Sequence, residues 1–191
     1  MSVREVVAIG DPVLRQRATE LSSDEISSPE FQGLIDDLIE TKRATHGAGI
    51  AANQVGEAVR VAIVEVEEDN PRYPYKPPVP LTVIINPTIE PLGEGTVEIN
   101  EGCLSVPDLR GSLERHLAIR VRYLDRHGEE HNEVKRGLTA GTFQHEVDHL
   151  DGILFVDRAD TRTFATWEQF DRHQRDEFVR RVTRLEEELG S

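Results

Sequence analysis

A single cysteine, Cys103, is the whole thiol content of this 191-residue chain. It cannot form an internal disulfide, which fits a reducing compartment. Basic residues are also scarce: 22 Lys plus Arg stand against 36 Asp plus Glu, a formal charge of −14. That balance repels phosphate backbones and anionic lipid, so no general nucleic-acid binding is expected. No apolar run reaches membrane-spanning length, and the opening segment MSVREVVAIGDPVLRQRA has no signal-peptide core. Internal repeats, low-complexity tracts and linkers are absent from the sequence. The apolar residues, 37% of the chain, gather into periodic runs where a disordered polymer would thin them out. Residues 1–191 are therefore expected to form one domain, soluble, cytoplasmic and monomeric, with no membrane contact.

In SPEFQGLIDDLIETKRATHG, Ser28 is placed to cap a helix that begins at Pro29, and Phe31, Leu34, Ile35, Leu38 and Ile39 fall on one face. That helix should end near Gly47. VRVAIVEVE, LTVIINPTIEPL, GTVEINEGCLSV and LAIRVRYLD are β-branched runs, so residues 59–125 should be mostly strand, and antiparallel because no crossover helix interrupts them. Five of the ten prolines lie in NPRYPYKPPVP, residues 70–80, which reads as a surface loop between strands. A second helix is expected from about Leu138 to Leu150. A third, amphipathic and C-terminal, is expected over 163–189, with Trp167, Phe170, Phe178, Val182, Leu185 and Leu189 in one stripe.

The stretch QHEVDHLDG, residues 144–152, sets His145 and His149 four positions apart with Glu146 between them. On a helix, residues four apart stack one turn above each other, so both imidazoles can face one metal ion while Glu146 reaches a water beside it. The alternative is a polar helix face. A catalytic site of this kind needs a third protein ligand. The metzincin pattern holds as far as Gly152, but Phe155 stands where its third histidine belongs. Glu168, with Asp171 to orient it, would complete a zinc protease, although it also reads as the solvated side of an amphipathic helix. Cys103, in EGCLSVP, reads either as a small buried hydrophobe or as a ligand carried on a rigid strand beside Gly102, which permits close backbone approach.

Three stretches in order, GAGIAANQ at 47–54, EGCLS at 101–105 and QHEVDH at 144–149, resemble the signature motifs of the peptide deformylase family. DPVLRQRA, INP at 85–87 and IRVRYLDRHG extend the likeness over most of the first 160 residues. The resemblance implies an α+β fold with antiparallel β-sheets around a central metal-binding helix and the C-terminal helix packed outside. It implies removal of the formyl group from the initiator formyl-methionine of nascent peptides, with release of formate. It also implies ferrous iron, replaceable by nickel, cobalt or zinc (Fe2+, Ni2+, Co2+, Zn2+), held by Cys103, His145 and His149. Glu146 would move the proton, while the side-chain amide of Gln54 and the backbone N–H of Leu104 would stabilise the charge that develops on the formyl oxygen. Gly47, Gly49 and Ile50 would lie beside an extended substrate. Arg110 would contact a substrate carbonyl, Glu101 would be a pocket or orienting carboxylate, and Leu138 and Gly141 would line the methionine pocket. By the same likeness, the C-terminal helix could touch the ribosome.

Against that family, Asn53 stands where proline is frequent, Ala48 where a larger aliphatic residue is, and Gly141 and Thr142 where larger residues are usual. Glycine at 141 removes one wall of the pocket, so a roomier site tolerant of formyl-Phe or formyl-norleucine is expected. The rival readings are the zinc protease with Glu168 as third ligand, a thiol hydrolase built on Cys103, and a non-catalytic peptide binder.

Overall fold

The computed structural model describes residues 2–189. A short helix α1 (Ser23–Ile26) precedes α2 (Pro29–Ala44), whose first turn is capped by the Ser28 hydroxyl accepting from Phe31 N–H. Strand β1 (Gly49–Ala51) follows, then β2 (Val61–Val66) and β3 (Val79–Pro91). A ribbon of β4 (Thr96–Cys103) and β5 (Val106–His116) leads to β6 (Ala118–Leu124) and β7 (Glu130–Arg136). Helix α3 (Gly137–Leu150) carries the histidine pair, and α4 (Trp167–His173) and α5 (Arg175–Leu189) close the described chain.

All strand pairs are antiparallel: a five-stranded sheet in the order β1-β2-β3-β6-β7 and the separate β4-β5 ribbon. Every residue of β2 is buried, because both faces of the strand are covered. Ala62, Val64 and Val66 join Ala140, Phe143, Val147 and Leu150 of α3 on one face. Val61 and Ile63 join Phe31, Ile35, Leu38 and Ile39 of α2 on the other. A sheet covered on both faces by helices cannot slip register by one residue without turning each apolar set toward the wrong helix. The α+β arrangement around a central helix is as expected from the sequence.

The 47–54 stretch contributes a short strand: Gly49–Ala51 pair with β2 in the register Gly49↔Val64, Ile50↔Ile63, Ala51↔Ala62. Two local expectations are corrected. The C-terminal helix is two helices, broken at Gln174, whose φ of −124° leaves the helical range. The break lets Phe170 and Phe178 meet edge to face at 5.8 Å and sets both in one cluster with Leu138 and Ile99. The proline-rich loop is not simply surface, because Tyr73 is buried within the main core.

Where α2 hands over to β1, the fully buried Lys42 ammonium donates to Glu65 Oε2 of β2 at 2.7 Å, and Arg43 holds both oxygens of the same carboxylate. The Arg43 hydrogen bond, more than any other contact, pulls the Glu65 pKa down to about 2 against the opposing cost of burial. Glu65→Gln leaves the buried Lys42 ammonium only the half-exposed Glu67 carboxylate, at 3.8 Å, and should cost about 1–3 kcal/mol, measured by urea unfolding at pH 7. The sign with pH follows from the lowered pKa. The contribution is complete above the ordinary carboxylate value of 4.5 and is lost as pH falls toward about 2. The variant should therefore show a shallower loss of stability on acidification than the wild type.

Candidate metal centre and active site

Cys103 ends β4, and His145 and His149 project from the same side of α3. Their donor atoms lie within 4.8 Å of one another, with Cys103 Sγ and His149 Nε2 3.2 Å apart. Ligands of one tetrahedral ion with bonds of about 2.0–2.3 Å stand in this range. The donor chemistry fits as well. His145 Nδ1 donates to Glu101 Oε2 at 2.8 Å, which commits the other ring nitrogen to the cluster. His149 Nδ1 is buried without a hydrogen-bond partner. Its imidazole is held well below its usual pKa by burial and by the neighbouring His145, which keeps it neutral, the form a metal ligand requires. His145 behaves oppositely: burial lowers its pKa, but hydrogen bonds to Cys103 and Glu101 outweigh that and hold it well above the usual value.

Of the pocket and orienting roles expected for Glu101, the geometry favours the orienting one. Both its oxygens accept from Arg115, at 2.8 and 2.9 Å, and one also accepts from His145. Burial would raise its pKa, but Arg115 and His145 keep it ionised. Arg115 donates in addition to Asp148, which Arg158 holds from the other side at 2.9 Å. Asn53, the residue at the family's proline position, donates to the backbone carbonyl of His149. It ties the 47–54 segment to the metal helix.

Glu146 is 3% exposed, with Oε2 unpartnered, and burial raises its pKa to about 7. It fits there only because residue 49 is glycine: a Cβ on Gly49 would stand 2.4 Å from Glu146 Oε1. Gln54 accepts from Ala51 N–H through Oε1 at 2.9 Å, which turns its Nε2 toward Cys103 Sγ and Ser105 Oγ, at 3.5 and 3.2 Å. Leu104 follows Cys103 at the turn into β5 and touches the space over Gly47 at 3.3 Å.

These groups line one cavity of about 590 Å³ of empty space, open to solvent, together with Gly47, Leu138, Gly141 and Arg110. Three expected site residues behave differently. Ile50 points the other way, into the core under α2, because successive strand residues face opposite sides and Gly49 and Ala51 take the side of α3. Gly141 opens no extra room: a Cβ there would stand 2.4 Å from Ile99 Cδ1, so the β4 side chain occupies the space a larger residue would fill. The expectation of a roomier pocket is withdrawn on that ground. Arg110, 1% exposed, is pinned by Asn100 and sandwiched between the rings of Trp167 and Phe170, 4.1 and 4.2 Å from their centroids. Glu168 is exposed at the first turn of α4 and is not among the clustered donors, which removes the zinc-protease ligand set.

Sequence reasoning missed the residues that reach the cavity from other segments: Tyr73, Tyr75 and Lys76 from the proline-rich loop, Ile99 from β4 and Phe178 from α5. Two aromatics and a lysine packed among prolines were the available signal. It also missed Glu186. Helix α3 has no side-chain cap of its own, and Glu186 of α5 accepts from Leu138 N–H at 2.7 Å in its place. Gly137, at φ +56°, leaves room for that carboxylate.

A cysteine sulfur and two imidazoles gathered at a buried helix, with a carboxyl group beside them in an open cavity, form a candidate metal site of the kind metal-dependent hydrolases use. Residues 3–165 match the family model described as polypeptide deformylase, and the chain belongs to that enzyme family. It is 44% identical over 172 residues to the peptide deformylase of Leptospira biflexa, covering 90% of this chain and 96% of that one. The Met-Ala-Ser-bound class I type b peptide deformylase of Acinetobacter baumannii superposes with a TM-score of 0.79 at 42% identity, over 83% of this chain and 99% of that one. The Thermotoga maritima enzyme superposes with a TM-score of 0.73 at 33% identity, over 84% and 99%.

Two substitutions check the geometry. Glu101→Ala frees the His145 ring, and metal affinity should fall by about 10- to 100-fold in a chelator competition. Gly49→Ala drives a methyl into the Glu146 carboxylate. Metal content should be preserved while formate release falls at least tenfold.

Proposed function

We propose that the cavity beside Cys103, His145 and His149 is where the formyl group is removed from formyl-methionine peptides, with Glu146 as the acid–base group. The enzyme is a deformylase, and the reaction hydrolyses a formamide C–N bond to leave formate and a free amine. The observation that carries the residue assignment is the position of Glu146: buried, unpartnered at Oε2, one residue along α3 from His145 and packed against Gly49 at the cavity wall. Cys103, His145 and His149 would hold the metal. When bound, it supplies a Lewis acid that makes water a competent nucleophile and polarises the formyl oxygen.

Glu146, near 7 in this environment, takes the proton of the attacking water and returns it to the leaving amine. Gln54 Nε2, fixed by the Ala51 contact, donates toward the oxygen on which charge develops, and Leu104 N–H is the second donor. Strand β1 positions the peptide. It is an edge of its sheet, and Ala48 C=O already accepts from Glu65 N–H. In antiparallel pairing, the next residue, Gly49, therefore turns its N–H and C=O to the open edge. An extended substrate can pair there as an added strand, with Ile50 contributing only as the buried anchor of that edge.

Every side chain in this reading comes from one copy of the chain, consistent with a monomer acting on nascent chains in the cytoplasm. Any ribosome contact falls to the exposed charged face of α5, whose Phe178 and Val182 are already buried.

Ferrous iron is assigned as the working metal, with nickel, cobalt or zinc as substitutes. One thiolate and two neutral imidazoles leave a dication with a net positive charge, and both iron and thiolate are open to oxidation. Metal analysis of anaerobically prepared protein should find iron, and activity should decay faster in air than that of a nickel-loaded sample. Equal half-lives would exclude iron. Glu146→Gln keeps size and polarity, so metal content should stay near stoichiometric while formate release from formyl-Met-Ala-Ser drops by about 10²- to 10⁴-fold. Retained turnover would refute the role given to Glu146.

A further inference from the structure

The proline-rich loop brings a cation into the wall of the cavity. Lys76 lines it together with Leu138, Gly141 and Thr142. Its ammonium donates to Thr142 Oγ1 at 2.8 Å and lies 5.0 Å over the Tyr73 ring. The Thr142 hydroxyl gives its own proton to Leu138 C=O at 3.0 Å, so it accepts from Lys76. An ammonium has three donors, and this contact uses one. Among the described residues no carboxylate lies within ion-pair distance of Lys76. The nearby acids are otherwise placed: Glu101 is held by Arg115 and His145, and Glu146 lies against Gly49. A second donor lines the same cavity: Arg110 Nη1 is buried with no partner, although the other two guanidinium nitrogens are satisfied by Asn100. Lys76 is half-buried at the wall of the cavity, and burial lowers its pKa to about 8.

A pocket with unspent N–H donors discriminates by what the bound side chain can accept. The methionine thioether is a weak acceptor, and norleucine, of nearly the same shape, is none. A donor buried against either goes unsatisfied, which is the more costly condition for a polar group.

We propose that Lys76, with Arg110 beside it, sets the side-chain preference of this deformylase toward a first residue that ends in a strong hydrogen-bond acceptor. Formyl-methionine sulfoxide, the product of oxidising an initiator methionine, and formyl-glutamate carry that chemistry as a neutral and a charged acceptor. The inference rests on the cavity being the deformylation site.

The test uses the full metal-loaded chain and four peptides, formyl-Xaa-Ala-Ser with methionine, methionine sulfoxide, glutamate or norleucine first. Formate release gives kcat/KM, and calorimetric titration with the corresponding deformylated peptides gives affinity independently of turnover. The sulfoxide or the glutamate peptide should exceed norleucine at least tenfold by both readouts. A gain for both marks acceptor recognition and a gain for glutamate alone marks charge; either supports the role of Lys76. Lys76→Met should reduce the ratio toward one, and Lys76→Arg, which keeps a charged donor, should retain it, with metal content confirming that both variants fold. A wild-type ratio near one for both acceptors, or a ratio unchanged in Lys76→Met, overturns the proposal. Absence of formate from all four peptides would instead refute the deformylation reading, and the calorimetric ratio would still decide the side-chain preference.

Discussion

Arg115 is the point on which the site depends. It is 2% exposed on β5 and grips two carboxylates, Glu101 and Asp148. Glu101 lies two residues before Cys103, and Asp148 lies between the two histidines, next to His149. One guanidinium thus clamps the β4-β5 ribbon to α3 at the place where all three metal donors meet. Its planar fork accounts for the bidentate grip on Glu101, which a lysine could not reproduce. Removing either carboxylate would leave a buried charge only partly compensated, so the clamp is costly to loosen and keeps the donors apart by fixed distances.

Around that clamp the fold supplies rigidity of a different kind. Helix α3 lies on the five-stranded sheet through Phe143, Val147 and Leu150, while its histidines and Glu146 face the ribbon and the cavity. The helix is nearly buried along its length, and its polar residues survive there because each is a prospective ligand, hydrogen-bonded, or left free for chemistry. Its ends are secured from outside. Glu186 of α5 takes the place of a cap at the start, and Arg60 donates to Leu150 C=O and Asp151 near the end.

The family match ends at residue 165, yet α4 and α5 lie beyond it and still take part in the cavity. Ala165 exchanges two backbone hydrogen bonds with Arg110. Trp167 and Phe170 enclose the Arg110 guanidinium, and Phe178 reaches the cavity wall, where it meets Tyr75 edge to face at 5.3 Å. Apolar residues that read as a simple amphipathic stripe are thus divided by the break at Gln174 between holding a cation and lining a pocket.

The sequence by itself determined the candidate groups and most of the regular structure. The spacing of His145, Glu146 and His149 puts them within reach of one ion on a helix, and the order of three short motifs pointed to Cys103 as the third ligand, while Glu168 stayed open until the structure placed it away from the clustered donors. Helix and strand periods are local properties, and local patterns carry them. Only the tertiary structure decided what fills the space around those groups. That Ile99 occupies the volume vacated at Gly141, that Ile50 faces α2, that Glu101 serves His145, and that Lys76 enters the cavity from a loop that read as surface are all consequences of packing between separate segments, as far as 66 residues apart for Lys76 and Thr142. No period records such contacts, because they arise from competition for volume and for hydrogen-bond partners, settled only when the whole chain is folded.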